Sequence, residues 1–256
     1  VASRMAVRER RGDQPAVEAD DGVLARVSGL LRPLAGNAIG RLQRGVGRMP
    51  RSGNWLPSNW SGTLDAAGAD VVNLHWVAGE TLSIADIGRL RTPQVWTLHD
   101  MWAFCGCEHY AADDASARWR AGYRPDNRLA GAHGIDLDRL AWRRKQRAWR
   151  MPLHVVAPSR WLADCAAHSA LLAAHTVHCI PNPLDTDRFR PLDRAFCRDA
   201  LGLPQQARIV LFGAIGGGSD PRKGYDLLDA ALQRLAQAHP DQPWHAAVFG
   251  AARPAQ

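Results

Sequence analysis

Four stretches of this chain bring together side chains that can do chemistry. His75-Trp76 closes one apolar run, residues 71–77 (VVNLHWV), and His99-Asp100-Met101-Trp102 follows another, VWTLHD at residues 95–100. Imidazole and carboxylate groups so placed can exchange protons or hold hydroxyls, although a single histidine at a strand end is more often structural. Cys105, Cys107 and His109 come next and are zinc-ligand types. They lack a second Cys or His pair at finger-like spacing, so no metal site is expected. The fourth stretch, residues 213–224 (GAIGGGSDPRKG), joins an apolar run to a helical one. Strand, glycine-rich loop and helix form a cradle for phosphate: Gly216 and Gly217 allow close backbone approach, and the helix N-terminus presents N–H groups. Arg222 and Lys223 add full charges. The loop is neither a Walker sequence, since Gly224 follows Lys223, nor G-x-G-x-x-G; a flexible surface loop is the alternative.

The elements that must position these groups read as a parallel α/β protein. From residue 69 onward, short apolar runs alternate with helical patterns. Residues 153–191 are the most informative. An apolar strand at 153–157 ends at Pro158, Ser159 starts a helix, and a second strand at 177–180 runs into Pro181-Asn182-Pro183. Two prolines make that corner rigid and present Asn182. Beyond it come a helix at 193–201, a strand at 208–212, a helix at 225–238 and a strand at 246–250. In open α/β sheets ligands bind beyond the carboxyl ends of the strands, where His75 and His99 fall.

Other stretches carry two readings each. Residues 23–34 and 39–46 have helical apolar spacing interrupted by glycines, with Arg41, Arg44 and Arg48 on a basic face: a surface helix pair, or a membrane contact. The loop SGNWLPSNWSG holds Trp55 and Trp60, for a sugar or partner contact or for packing. Helix 137–150 is densely basic, with Trp142 and Trp149 on one face: a solvated outer helix with its tryptophans on the sheet, or aromatic anchors on an anionic membrane surface. Nucleic-acid binding by the same helix finds no recognised module to support it.

Composition bounds these readings. With 256 residues, 46% apolar and 22% charged, the chain is long enough for two domains, and no apolar run approaches the ~20 residues that span a bilayer. The net charge of +7 rests on arginine, with lysine only at Lys145 and Lys223, and reads as compositional bias rather than a nucleic-acid footprint. Five cysteines, mostly isolated, fit a reducing cytosol. The chain opens in a strand-like segment at residues 3–7 and closes just after another strand, so an internal piece of a longer protein is expected.

Residues 96–102 (WTLHDMW), 156–162 (VAPSRWL), 180–185 (IPNPLD) and 219–224 (SDPRKG) together resemble the successive motifs of the family 4 glycosyltransferases of GT-B fold, in the branch that builds colanic acid and other exopolysaccharides. The resemblance implies an acceptor-side Rossmann-like domain over residues 1–183, lacking its first strand and glycine loop. It also implies a nucleotide-sugar domain beginning at residue 184 and incomplete at 256. The implied activity is retaining transfer of a sugar from a nucleotide-sugar donor to a polysaccharide or lipid-linked acceptor, without metal or cofactor. The implied setting is the bacterial cytoplasm, with peripheral contact to the anionic inner membrane. His99 would lie near the donor sugar with Asp100 beside it. Lys223, with Arg222, would hold the diphosphate, and Asn182, Ser159 and His75 would line the domain crossing. The family's later paired-glutamate motif has no counterpart, since no glutamate follows Glu108. A catalytically inactive remnant that binds a partner or a membrane is therefore the alternative.

Overall fold

The computed structural model describes residues 2–10, 15–19, 22–47, 49–215 and 220–250. The chain divides into two compact units, Val1–Pro183 and Leu184–Gln256. The first begins with a parallel pair, β1 (Met5–Val7) and β2 (Val17–Ala19), then helix α1 (Val23–Gly40) and the short strand β3 (Gln43–Arg44). Helix α2 (Trp60–Ala66), strand β4 (Val72–His75), helix α3 (Ile84–Ile87), strand β5 (Gln94–Thr97), helix α4 (Arg118–Ala121) and strand β6 (His133–Gly134) follow. Helix α5 (Leu137–Ala148), strand β7 (His154–Ala157), helix α6 (Arg160–Ala167) and strand β8 (Thr176–Cys179) complete the unit. Its main sheet is parallel in the order β4-β5-β7-β8, and β3 pairs antiparallel with β6.

The strands alternate as half-buried strands should. Val72 and Leu74 of β4 are buried while Asn73 and His75 are exposed, and Trp96 and Leu98 carry the buried face on from β5. Behind them Trp96, Trp102 and Trp149 meet edge to face or tilted, with centroids 5.0 to 6.1 Å apart. Strand β8 is largely exposed at the sheet edge.

Three segments differ from their sequence reading. Residues 23–40 form one helix rather than two, continuous through Pro33 and Gly36. Gly36 does not break it but permits close packing: a Cβ there would stand 2.7 Å from Glu80 Cγ. Residues 60–62, read as the end of the SGNWLPSNWSG loop, instead begin helix α2, whose first free N–H groups, of Trp60 and Ser61, donate to Asp86 Oδ2 at 2.6 and 3.2 Å. That cap comes from a residue 25 positions away, so the local sequence gives no sign of it. Trp142 of α5 and Trp149 just after it are buried, at 8% and 6% exposure, which overturns their reading as membrane anchors. Trp55 and Trp60 pack against the same core, with the Arg144 guanidinium 4.9 Å over the Trp55 ring.

The second unit holds helix α7 (Arg194–Ala200), strand β9 (Arg208–Gly213), helix α8 (Tyr225–Ala238) and strand β10 (Trp244–Phe249), with β9 and β10 parallel. Among the described residues no helix is long and apolar enough to cross a membrane.

Candidate functional site

Beyond the carboxyl ends of β4 and β5 the structure brings His75 and His99 together. His75 Nδ1 lies 2.9 Å from His99 Nε2, so one ring donates and the other accepts. Partial burial, and then the neighbouring imidazole, lower the His75 pKa, which favours a neutral ring there. Next to this pair Thr97 Oγ1 donates to Asn73 Oδ1 at 3.0 Å. Asn73, His75, Thr97 and His99 thus line one polar face, of which sequence reasoning named only the histidines; the period-two alternation already puts the other two beside them.

Asp100 turns the other way. Its Oδ1 accepts from the backbone N–H of Trp102 at 2.9 Å, capping the turn after β5, and its Oδ2 lies 2.6 Å from His109 Nδ1. His109 Nε2 then meets Ser52 Oγ at 2.8 Å, and that oxygen accepts from Gly79 N–H at 3.2 Å. Trp76, in the left-handed region at φ 39°, stacks on the His109 ring with centroids 5.8 Å apart. Both His109 nitrogens are thereby occupied by the turn network. The cavity enclosed beside it, between Trp76, Leu98, His99, Asp100 and Trp102, is only about 10 Å³, room for one water.

Lys145 anchors this turn from beneath. Its side chain is fully buried, and Nζ donates to the carbonyls of Trp102, of Cys105 at 3.1 Å and of Gly106 at 2.8 Å, while lying 3.7 Å over the Trp102 ring. Burial lowers its pKa to about 8. Burial likewise pushes the Cys105 and Cys107 thiols up. Neighbouring Asp138 pairs with Arg51 and accepts from Gln43 Nε2 at 2.8 Å and Cys107 N–H at 3.2 Å. Burial, then the Asp138 charge, raise Glu108 to about 7.

A second concavity was not foreseen. A cavity of about 330 Å³ opens between β1, α1 and α2, lined by Arg8, Ser28, Arg32, Asn59, Thr63 and Thr81 among others. Two of its walls are tied to the turn after β4: Arg8 donates to the Gly79 carbonyl at 2.6 Å and Arg32 Nε to the Glu80 carbonyl at 2.9 Å. Glu80 is held in turn by the N–H groups of Trp55 and Leu56 at 3.0 and 2.9 Å.

The remaining sequence candidates lie elsewhere. Ser159 caps α6, accepting from Leu162 N–H at 3.2 Å, and Asn182 is exposed at the end of the first unit. In the second unit Arg222 makes a two-point contact with Asp220, at 2.9 and 2.6 Å, while Lys223 is exposed. The Arg222 contacts draw the Asp220 pKa down to about 2. Gly216 and Gly217 lie outside the described residues.

The family described as Glycosyltransferase Family 4 matches residues 18–188, well over half of the chain. No curated protein matches it.

Proposed function

The chain belongs to glycosyltransferase family 4, and from that premise we propose that it transfers a sugar, with retention, from a nucleoside-diphosphate sugar to a glycan or lipid-linked acceptor in exopolysaccharide assembly in the cytoplasm. Its parallel α/β units fit the Rossmann-like GT-B class. The observation that supports a reaction centre in the first unit is the His75 and His99 pair, exposed beyond the ends of two adjacent parallel strands. In this reading His99 faces the reacting sugar, and its contact with His75 fixes the ring. Asp100 acts through the turn it caps rather than on substrate. Exposed Lys223, with Arg222 beside it, opposes the charge that develops on the departing diphosphate. The acceptor occupies the 330 Å³ cavity, where hydroxyl, amide and guanidinium groups match a hydroxylated ligand.

The test is release of nucleoside diphosphate from a panel of nucleoside-diphosphate sugars. We expect one donor to be turned over, with His99→Ala lowering turnover and Lys223→Ala weakening donor affinity. Wild-type kinetics in Lys223→Ala would remove the phosphate role. No turnover with any donor would favour the inactive binding module.

A further inference from the structure

Trp76 is not held as the core tryptophans are. Trp102, Trp119 and Trp149 are buried, and each donates its indole N–H to a backbone carbonyl, of Ser52, Ala112 and Ile84, at 2.7 to 3.0 Å. Trp76 is 53% exposed, and its Nε1 has no hydrogen-bond partner among the described residues. One side of its ring is fixed nonetheless. It stacks on His109 with the planes 26° apart, and His109 is clamped between Asp100 and Ser52. The backbone of Trp76, at φ 39°, holds a left-handed conformation that is costly for a bulky side chain. Packing does not account for that strain, because a ring placed there to fill the core would be buried.

Its position indicates the ligand. Trp76 directly follows His75, the last residue of β4, and shares with His99 the wall of the 10 Å³ cavity. Its ring edge also reaches the rim of the 330 Å³ cavity. A Cβ at Gly79 would stand 3.6 Å from Trp76 Cη2 and 4.0 Å from a guanidinium nitrogen of Arg8, and Arg8 lines that larger cavity. The ring therefore lies between the cavity assigned to the acceptor and the histidine pair. An indole face carries partial negative charge, and the C–H bonds on one side of a pyranose ring carry partial positive charge, so the two stack. The unpartnered indole N–H is a donor for a sugar hydroxyl. We propose that Trp76 is the platform on which the terminal pyranose of the acceptor lies by its C–H face, with one hydroxyl directed at His99. The small cavity has room for one water, and hence for one hydroxyl. The inference rests on the glycosyl-transfer reading and adds to it the residue that selects a pyranose ring at the acceptor end.

Sugar binding is measured without donor or turnover, so it stands or falls separately from sugar transfer. In nitrogen-15-labelled protein the Trp76 indole N–H signal, identified by its loss in Trp76→Phe, is followed during titration with cellobiose, lactose and methyl α-mannopyranoside, and with sorbitol as an acyclic polyol. We expect at least one of the pyranosides to shift that signal saturably and sorbitol to leave it in place. Trp76→Leu keeps an apolar cover over His109 but has neither a ring face nor an N–H, and should weaken binding of that sugar about tenfold in calorimetry. Trp76→Phe keeps a ring face and should lose less, while nucleoside-diphosphate affinity stays at the wild-type value in both variants. A signal that no pyranoside moves overturns the proposal, as does wild-type sugar affinity in Trp76→Leu. Equal loss of sugar affinity in both variants, together with a lowered urea midpoint, also overturns it and makes Trp76 only a cover for His109. Turnover of a donor with no pyranoside effect at Trp76 removes this inference alone. Pyranoside binding at Trp76 without turnover of any donor leaves it standing and removes sugar transfer.

Discussion

Replacing Lys145 by Met separates what its charge does from what its length does. The two side chains are similar in reach, so packing around Trp102 and Trp149 persists while three carbonyls lose their donor. Each stranded carbonyl costs about 1 to 3 kcal/mol, offset by relief of burying an ammonium group, so at pH 7 we expect a net loss of roughly 2 kcal/mol. The pH dependence is the sharper quantity. The folded chain releases the Lys145 proton near pH 8, against 10.5 for the unfolded chain. Between those values the unfolded state binds more protons, so a rise in pH favours the folded wild type. A shift of that size corresponds to about 3 kcal/mol, absent below pH 8 and complete above pH 10.5. Methionine does not titrate. Cys105, Cys107 and Tyr123, all raised by burial, stay neutral while their unfolded counterparts ionise, which works in the opposite direction. They are present in both proteins and largely cancel in the difference. Urea unfolding followed by tryptophan fluorescence at pH 7 and pH 10 should therefore show the gap between wild type and variant widen by about 2 to 3 kcal/mol. A gap that stays constant or narrows refutes the account of Lys145 as a charge buried against carbonyl dipoles.

Glu108→Gln should act in the opposite range. With its folded pKa near 7 and its unfolded value near 4.5, Glu108 favours folding below pH 4.5, and that contribution is lost as pH rises through 7. The Gln variant is expected to be more stable than wild type at pH 8, by about 1 to 3 kcal/mol, with no gain near pH 4, as read by urea midpoints at both values. Gly36→Ala places a Cβ 2.7 Å from Glu80 Cγ, a side chain already held by two backbone N–H groups, and should cost about 1 to 3 kcal/mol in thermal unfolding. An unchanged melting temperature would mean that α1 does not pack through Gly36. Asp220→Asn releases Arg222 from its paired carboxylate and should tighten nucleoside-diphosphate binding several-fold in calorimetric titration. Unchanged affinity would remove Arg222 from the donor contact.

The elements legible in the sequence are those whose signals are local. The main parallel sheet follows from short apolar runs, and the start of α6 from Ser159, whose oxygen meets an N–H three residues on. Helix α2 was illegible because its cap is Asp86, supplied across the fold. Helix α1 misled because its apolar period gives the right face but the wrong side: its leucines point to solvent, and Gly36, read as an interruption, is where it packs, against Glu80.

The candidate site divides along the same line. His75 and His99 were legible because a strand end is a local signal, whereas Ser52, Glu80 and Lys145 do their work on backbone groups or rings dozens of residues away. One signal for Lys145 was nevertheless present. In a chain that uses arginine for nearly every cation, lysine stands at two positions only, Lys145 and Lys223. The physical reason is donor geometry. A guanidinium presents its donors in a flat fork suited to a carboxylate, as Arg222 meets Asp220. Three carbonyls converging from one tight turn require the three N–H bonds of a single ammonium, and Lys145 meets the carbonyls of Trp102, Cys105 and Gly106 in that way. Arginine at residue 145 should therefore loosen the turn that carries Asp100 and Trp102 even though it keeps the charge.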